Sequence, residues 1–380
     1  MAVSTTSVHI AIKLVLGGIN YLFCKLALDL LRGEDNAARP GLMTLSTFLS
    51  LFIVGLPLYA NEVKTRRAAA RNEGIAPTSF YTWTSHALCF IPGLFEFIAV
   101  YLSMSGNSIL PATIMVFMKA TRVLWSALLS IFYLGRKLYG YHWVGVALTF
   151  IGLFPIIWVQ AQTGNSSRND ADATMKQSMA LAAVFACEFF RAIRVILEES
   201  LLKEKHYSPE FVQYAEGYSG LILSFLALIL LHAIGWENSV ESMELLATKP
   251  WGTFFFVLHT LAHGTVNFSS NVVTKLLSSV HNAIISEMRI IVVWGPEFII
   301  GALTAGYALK KPLGKIFSPL YLVDIPGFMI ITASAFIYSG KLKVPISCLY
   351  PQEELTGIKD VEKVASPTTN DCCSEKACTH

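Results

Sequence analysis

The sequence predicts an all-α, polytopic membrane protein whose ten transmembrane helices form two inverted five-helix repeats. Of its 380 residues, 54% are hydrophobic and 14% are charged, whereas soluble domains carry about 25% charged residues. Ten apolar stretches are long enough to cross a hydrocarbon core of about 30 Å at 1.5 Å per helical residue. The charge pattern of the first half also recurs, because Met118-Lys119 has a counterpart in Met288-Arg289, 170 residues further on.

The predicted spans are joined by short polar links or links that contain Gly or Pro. They cover residues 8–30, 41–60, 82–104, 107–134, 141–160, 178–200, 211–234, 252–274, 278–305 and 320–339. In the fifth span, Gly145 and Gly152 are seven residues apart on one face and permit a close helix contact. The first span carries Lys13 and is followed by no small-residue cleavage site, so no removable signal peptide is predicted.

The ten spans divide the chain into four parts. Residues 1–160 form the first repeat, 161–177 an extramembrane loop, 178–345 the second repeat and 346–380 a polar, disordered cytoplasmic tail. An odd number of spans in each half inverts the second half relative to the first, an architecture found in transporters.

The orientation follows from Lys and Arg in the short loops, which are enriched on the cytoplasmic side of membrane proteins. A cytoplasmic N-terminus gives that side more basic residues, although the loop around Lys310 opposes the bias. The Asn165-Ser-Ser sequon then falls on the opposite side. Both termini are therefore predicted to be cytoplasmic.

Two cations are predicted to meet near the middle of the bilayer. Lys119 lies about a dozen residues into the fourth span, and Arg289 lies about as far into the ninth. A charge at this depth costs about 2.5–3.5 kcal/mol on insertion scales, so such residues face a protein interior or a watery cavity. Because the two cations repel each other, an anion that bridges them is favoured, and Arg289 can bind two of its oxygens at once.

The candidate substrate site includes three further residues: Arg122, Glu96 and Glu287. Arg122 lies one turn beyond Lys119, where it either extends the site or faces a neighbouring helix. The alternative to an anion site is private pairing of Lys119 with Glu96 and of Arg289 with Glu287. The second pairing has poor geometry, because residues two apart point to different sides of a helix.

Other polar residues within the spans allow structural interpretations. Spacings of three and four residues predict an ion-pair network within the sixth span, made of Glu188, Arg191, Arg194 and Glu198. His259 and His263 have metal-ligand spacing without a third ligand, so they are predicted to be packed or hydrogen-bonded. Glu216 is deep enough for proton coupling or for pairing. No metal and no cofactor are predicted.

Four segments carry a resemblance to a known family. They are Phe117-Met-Lys-Ala-Thr-Arg, Gly135-Arg-Lys-Leu, Trp143-Val-Gly-Val-Ala-Leu-Thr-Phe-Ile-Gly-Leu and Ser286-Glu-Met-Arg-Ile-Ile-Val-Val-Trp. With them, the chain resembles the drug/metabolite transporter superfamily, in particular its nucleotide-sugar-transporter-like branch (solute carrier family 35). The resemblance implies that Lys119 and Arg289 hold the phosphate of an anionic substrate. It also implies alternating access in an endomembrane such as the Golgi, the endoplasmic reticulum or a lysosome-like compartment.

The expected function is transport of a phosphorylated metabolite such as a nucleotide-sugar, and the transporter could work as an exchanger. No enzymatic activity is expected. The expected partners are a small anionic molecule and the lipid bilayer, with a homodimer left open. Nucleic acid is excluded, because the net charge is only +3 and no long basic run exists. The alternatives are a proton-coupled exporter of neutral or cationic solutes and a non-transporting membrane scaffold. A membrane-embedded transferase would need a nucleophile or metal triad, and no useful spacing shows one.

Overall fold

The computed structural model is helical throughout the part of the chain that it describes. It describes residues 5–31, 40–72, 81–109, 112–163, 171–305 and 322–343. Within these ranges there are eleven α-helices and no strand: α1 Thr5–Leu30, α2 Pro40–Asn72, α3 Trp83–Ile109, α4 Ala112–Leu134, α5 Gly140–Thr163, α6 Ala171–Lys203, α7 Pro209–Ala233, α8 Ser239–Thr248, α9 Pro250–Leu276, α10 Ser279–Ala305 and α11 Asp324–Tyr338.

Ten of these helices lie where the spans are predicted, and α8 is additional. Within the described ranges, four helices are long and apolar enough, by length and composition, to cross a membrane: Thr5–Leu28, Pro40–Asn72, Trp83–Gly106 and Pro209–Ala233. The short α8 has ten residues, and the Asn238 side chain accepts a hydrogen bond from the backbone N–H of Glu241 at its start. A segment this short carries no span-length apolar pattern, so this helix was not predicted.

Several boundaries differ from the predicted spans, most of all the end of α2, which lies at Asn72 instead of residue 60. The fourth span was predicted to begin at Asn107, but residues 107–109 continue α3 and α4 begins at Ala112. A proline at position 111 favours a helix boundary here, because proline disfavours helical conformation at the residue before it. Helices α5 and α6 both extend into the predicted loop 161–177. Pro111, the basic loop around Lys310 and the tail 346–380 lie outside the described residues.

Glycines permit several close helix contacts, as predicted for α5. A Cβ added at Gly145 would lie 3.1 Å from the backbone oxygen of Ser334, and one at Gly152 would lie 2.8 Å from that of Gly327. Both glycines therefore face α11, and the predicted contact is confirmed. A similar approach joins α2 and α7, where a Cβ at Gly217 would lie 2.6 Å from the backbone nitrogen of Phe52.

The helices bury polar side chains and expose large apolar ones. On α7, Gln213 and Glu216 are buried, whereas the exposed large apolar residues are Ile222, Phe225, Leu226, Ile229 and Leu230. The same inversion applies to charged groups from other helices, because Lys13, Glu96, Arg122 and Glu188 are all buried. An apolar outer surface around a charged interior is the arrangement expected in lipid, where intramembrane charges face the bundle interior.

Candidate functional site

The charged interior surrounds a cavity of about 270 Å³ that is lined by α1, α2, α3, α4, α6, α9 and α10. Its volume is close to the lower end of the range for small-molecule sites, about 300 Å³. The five residues predicted for the substrate site all line this cavity: Glu96, Lys119, Arg122, Glu287 and Arg289. Elements that are far apart in sequence therefore converge on one space that can hold a small solute.

Lys119 and Arg289 face this cavity with intermediate exposure. The Lys119 Nζ lies 4.6 Å from the centroid of the Tyr21 ring, a cation–π contact between α4 and α1. The Arg289 Nε donates a hydrogen bond of 3.0 Å to the backbone oxygen of Ser286, one turn earlier in α10. Gly17 makes room for this arginine, because a Cβ there would lie 2.6 Å from Arg289 Cδ.

The two ion pairs considered as an alternative, Lys119 with Glu96 and Arg289 with Glu287, do not form within the described part of the chain. Glu287 accepts a hydrogen bond of 2.7 Å from Arg122 Nη2, which joins α10 to α4. Glu96 faces two arginines of α6 instead of Lys119. Among the described residues, no carboxylate lies within 4 Å of Lys119 or Arg289.

Lys13 also lines the cavity, and it was not predicted to belong to the site. It is only 2% exposed. Its Nζ donates a hydrogen bond of 2.7 Å to the backbone oxygen of Asn282 and lies 3.4 Å from Ser270 Oγ. No described carboxylate lies within 4 Å of Lys13 either. The available signal was the lysine itself, since an ionisable residue inside a span is a functional-site hypothesis by default.

The predicted network within α6 is confirmed. Arg191 Nη1 lies 3.0 Å from Glu188 Oε1, and Arg194 Nη2 lies 2.5 Å from Glu198 Oε1. The network also reaches other helices, because Arg194 lies 2.9 Å from Glu216 of α7. Spacing along one helix gives no information about such partners, so these contacts were not predicted.

The two histidines of α9 both lie within hydrogen-bond distance of the Asn20 side-chain amide, in agreement with the prediction that they are hydrogen-bonded. His259 Nδ1 lies 2.8 Å from Asn20 Oδ1, and His263 Nδ1 lies 3.3 Å from Asn20 Nδ2. Within the described residues, no group of three His, Cys, Asp or Glu side chains is arranged to hold a metal ion.

Charge is distributed unevenly around the cavity. In the described ranges, three arginines of the interior share five carboxylates: Arg122, Arg191 and Arg194 with Glu96, Glu188, Glu198, Glu216 and Glu287. Of the six cations that line the cavity, three have no carboxylate within 4 Å among the described residues: Lys13, Lys119 and Arg289, from α1, α4 and α10. The wall formed by these three helices is therefore positive, and it can hold an anion.

The fold and the site define a multi-pass membrane protein with a charged, solute-sized cavity at its centre. The family model described as nucleotide-sugar transporter matches residues 44–303, which is more than half of the chain and includes all five predicted site residues. The chain therefore belongs to the nucleotide-sugar transporter family, and it is a transporter of small molecules.

The relatives agree with this assignment. The chain is 21% identical over 357 residues to solute carrier family 35 member F6 of Rattus norvegicus, covering 89% of each chain. It is 20% identical over 347 residues to the protein of the same name from Homo sapiens, covering 87% of each. One solved crystal structure aligns with a TM-score of 0.48 at 18% identity, over 87% of this chain and 97% of that one.

Proposed function

We propose that this protein moves an anionic, phosphorylated metabolite, such as a nucleotide-sugar, across an endomembrane by alternating access. One observation carries the proposal: Lys13, Lys119 and Arg289 line one interior cavity and have no carboxylate within 4 Å among the described residues. Cations inside a membrane protein are costly unless they are neutralised. A phosphate or diphosphate in the cavity supplies the missing negative charge.

The three cations have different capacities toward such a substrate. Arg289 presents a planar guanidinium that can bind two phosphate oxygens at once, whereas Lys119 and Lys13 act as point charges. Because Lys13 belongs to α1, Lys119 to α4 and Arg289 to α10, a bound anion joins three helices. Tyr21 already holds the Lys119 ammonium over its ring and orients it for this role.

We further propose that ten helices span the membrane as two inverted five-helix repeats, α1–α5 and α6, α7, α9, α10 and α11. The helix packing supports this arrangement. Helix α1 packs extensively against α9, just as its counterpart α6 packs against α3, and α1 meets α10 as α6 meets α4. Helices α2 and α7, and likewise α5 and α11, pack against their own counterparts. A two-fold relation between the halves produces these pairings, and it makes Lys119 and Arg289 equivalent residues.

The same charges favour an exchange mechanism. An empty cavity would have to change its orientation with three cations that have no carboxylate within 4 Å among the described residues, which is unfavourable in a low-dielectric interior. A cavity loaded with an anion in each direction avoids that cost, so the protein exchanges one anion for another, for example a nucleotide-sugar for a nucleoside monophosphate. We also propose that both termini are cytoplasmic and that the compartment is of Golgi, endoplasmic-reticulum or lysosome type.

A panel of solutes in proteoliposomes tests the proposal. The purified chain is reconstituted with an internal pool of unlabelled solute, and counterflow is measured for labelled nucleotide-sugars, nucleoside monophosphates, sugar phosphates, free sugars and organic amines. We expect saturable counterflow for at least one phosphorylated class, and rates like those of empty liposomes for free sugars and amines. Counterflow of neutral or cationic solutes alone, or of no member of the panel, would contradict the proposal.

A further inference from the structure

Three carboxylates from three helices converge on the guanidinium of Arg194. Arg194 Nη2 lies 2.5 Å from Glu198 Oε1 of the same helix and 2.9 Å from Glu216 Oε2 of α7. The other terminal nitrogen, Nη1, lies 3.4 Å from Glu96 Oε2 of α3. Glu198 is 1% exposed and Glu216 is 0% exposed, so water does not solvate either group.

Arg194 Nη2, which lies close to both Glu198 and Glu216, has fewer N–H donors than it has acceptors around it. Arg194 Nη2 carries two N–H donors, but a third acceptor, Asn267 Oδ1, lies 3.0 Å away. The Asn267 amide is oriented by a further bond, because its Nδ2 donates to Gln213 Oε1 at 2.7 Å. One N–H therefore remains for two carboxylates, and the buried Oε1 atoms of Glu198 and Glu216 accept no hydrogen bond of good geometry within the described ranges.

Among the described residues, no cation other than Arg194 lies within 4 Å of Glu198 or Glu216. From α3 the pair faces Glu96 and Cys89, and from α6 it faces Arg194. Lys13 of α1 is within electrostatic range of Glu198, and His263 of α9 is within range of Arg194. Helix α2 presents an uncharged group, the Leu51 backbone oxygen, which faces Gln213 Nε2 at 3.4 Å. Arg191 is already shared between Glu188 and Glu96.

We propose that Glu198 and Glu216 hold one proton between them and form a proton-binding site behind the wall of the cavity. With a proton on one carboxyl group, that group donates an O–H bond to the other, and a single negative charge faces Arg194. Two unprotonated carboxylates whose oxygens lie 2.5 and 2.9 Å from the same nitrogen would repel each other in a site of low dielectric, so one of them binds a proton.

Arg194 connects this proton to the cavity. It lines the cavity, so an anion bound there adds negative charge close to the pair and favours the protonated form. Linkage is reciprocal, and a bound proton therefore increases the affinity for an anion by the same factor. This coupling rests on the proposed anion site, whereas the shared proton does not depend on it.

Infrared difference spectroscopy of the purified full chain tests the shared proton without any substrate. The wild-type protein should show a protonated-carboxyl C=O band at neutral pH that shifts in deuterium oxide and is lost at alkaline pH. Glu198→Gln and Glu216→Gln should each remove the intensity of one carboxyl group, because the remaining carboxylate ionises against Arg194. Glu241→Gln, at the start of α8, should leave the band unchanged.

The outcomes separate this inference from the proposed transport function. A wild-type protein without a protonated-carboxyl band at neutral pH, or folded Gln variants that keep its full intensity, would overturn the shared proton, whatever the protein transports.

The coupling between the pair and the cavity is tested by adding inorganic pyrophosphate at the alkaline pH where half of the band remains. We expect the band to grow in the wild type and to stay unchanged in Arg289→Gln. No growth in the wild type would contradict the link between the pair and the cavity.

Discussion

Lys119→Gln and Arg289→Gln are each expected to lower the initial rate of counterflow of the phosphorylated solute by about 10- to 100-fold. A hydrogen bond to a charged group contributes about 1.5–3 kcal/mol, and about 1.4 kcal/mol corresponds to a tenfold change. The glutamine side chains keep hydrogen-bonding capacity but remove the positive charge, so the loss measures charge. Rates in proteoliposomes at matched protein density check this prediction.

Conservative variants and a distant control sharpen the experiment. Arg289→Lys keeps the charge but removes the two-oxygen contact, so its rate should lie between those of the wild type and Arg289→Gln. Lys64→Gln, at an exposed position of α2, should transport at the wild-type rate. Near-wild-type rates for both Lys119→Gln and Arg289→Gln, in variants that elute as the wild type does on size exclusion, would remove these residues from the site.

Glu287→Ala is expected to lower the free energy of unfolding by about 3–5 kcal/mol, the usual result of removing one partner of a buried ion pair. The alanine leaves the guanidinium of Arg122 with Glu188 alone, whose Oε2 lies 3.7 Å from Arg122 Nε. Because the pair joins α4 to α10, its loss should weaken the contact between the two proposed halves. Unfolding of the detergent-solubilised protein, followed by circular dichroism, provides the measurement.

A double variant distinguishes the ion pair from a general loss of packing. Arg122→Leu combined with Glu287→Leu removes both charges, and Glu188 keeps its contact with Arg191 at 3.0 Å. The double variant should therefore be more stable than Glu287→Ala, because replacing both partners by apolar groups is often neutral. Equal destabilisation by the single and double variants would show that the charges are not coupled.

The positions of the helices, and the location of Lys119 and Arg289 at the cavity, could be predicted because each depends on a pattern within a single segment. Span-length apolar stretches predict where helices lie, and a cation in the middle of one must face a protein interior or cavity. The equivalence of Lys119 and Arg289, 170 residues apart in the sequence, stays a prediction, because it depends on the proposed repeats. The spacing within α6 predicted the contacts Glu188–Arg191 and Arg194–Glu198 for the same local reason.

Contacts between helices could not be predicted in this way. Periodicity shows which face of a helix a residue occupies but not which neighbour covers that face, so Arg122 with Glu287 was missed. Lys13 was visible as a charge in an apolar span, but only the packing of α1 against α9 and α10 brings it to Asn282. The convergence of Glu96, Glu198 and Glu216 on Arg194 requires three helices at once, and no pattern within any one of them encodes it.

The most direct test of an anion site formed by these cations is the effect of solutes on the thermal unfolding of the purified protein. A ligand that binds only the folded state raises the unfolding temperature. Phosphorylated solutes should raise it in the wild type and in Lys64→Gln, and should have no effect on the variant Lys119→Gln/Arg289→Gln. Equal shifts in the wild type and the double variant, or stabilisation by organic amines instead of phosphorylated solutes, would contradict a site in which Lys119 and Arg289 hold an anion.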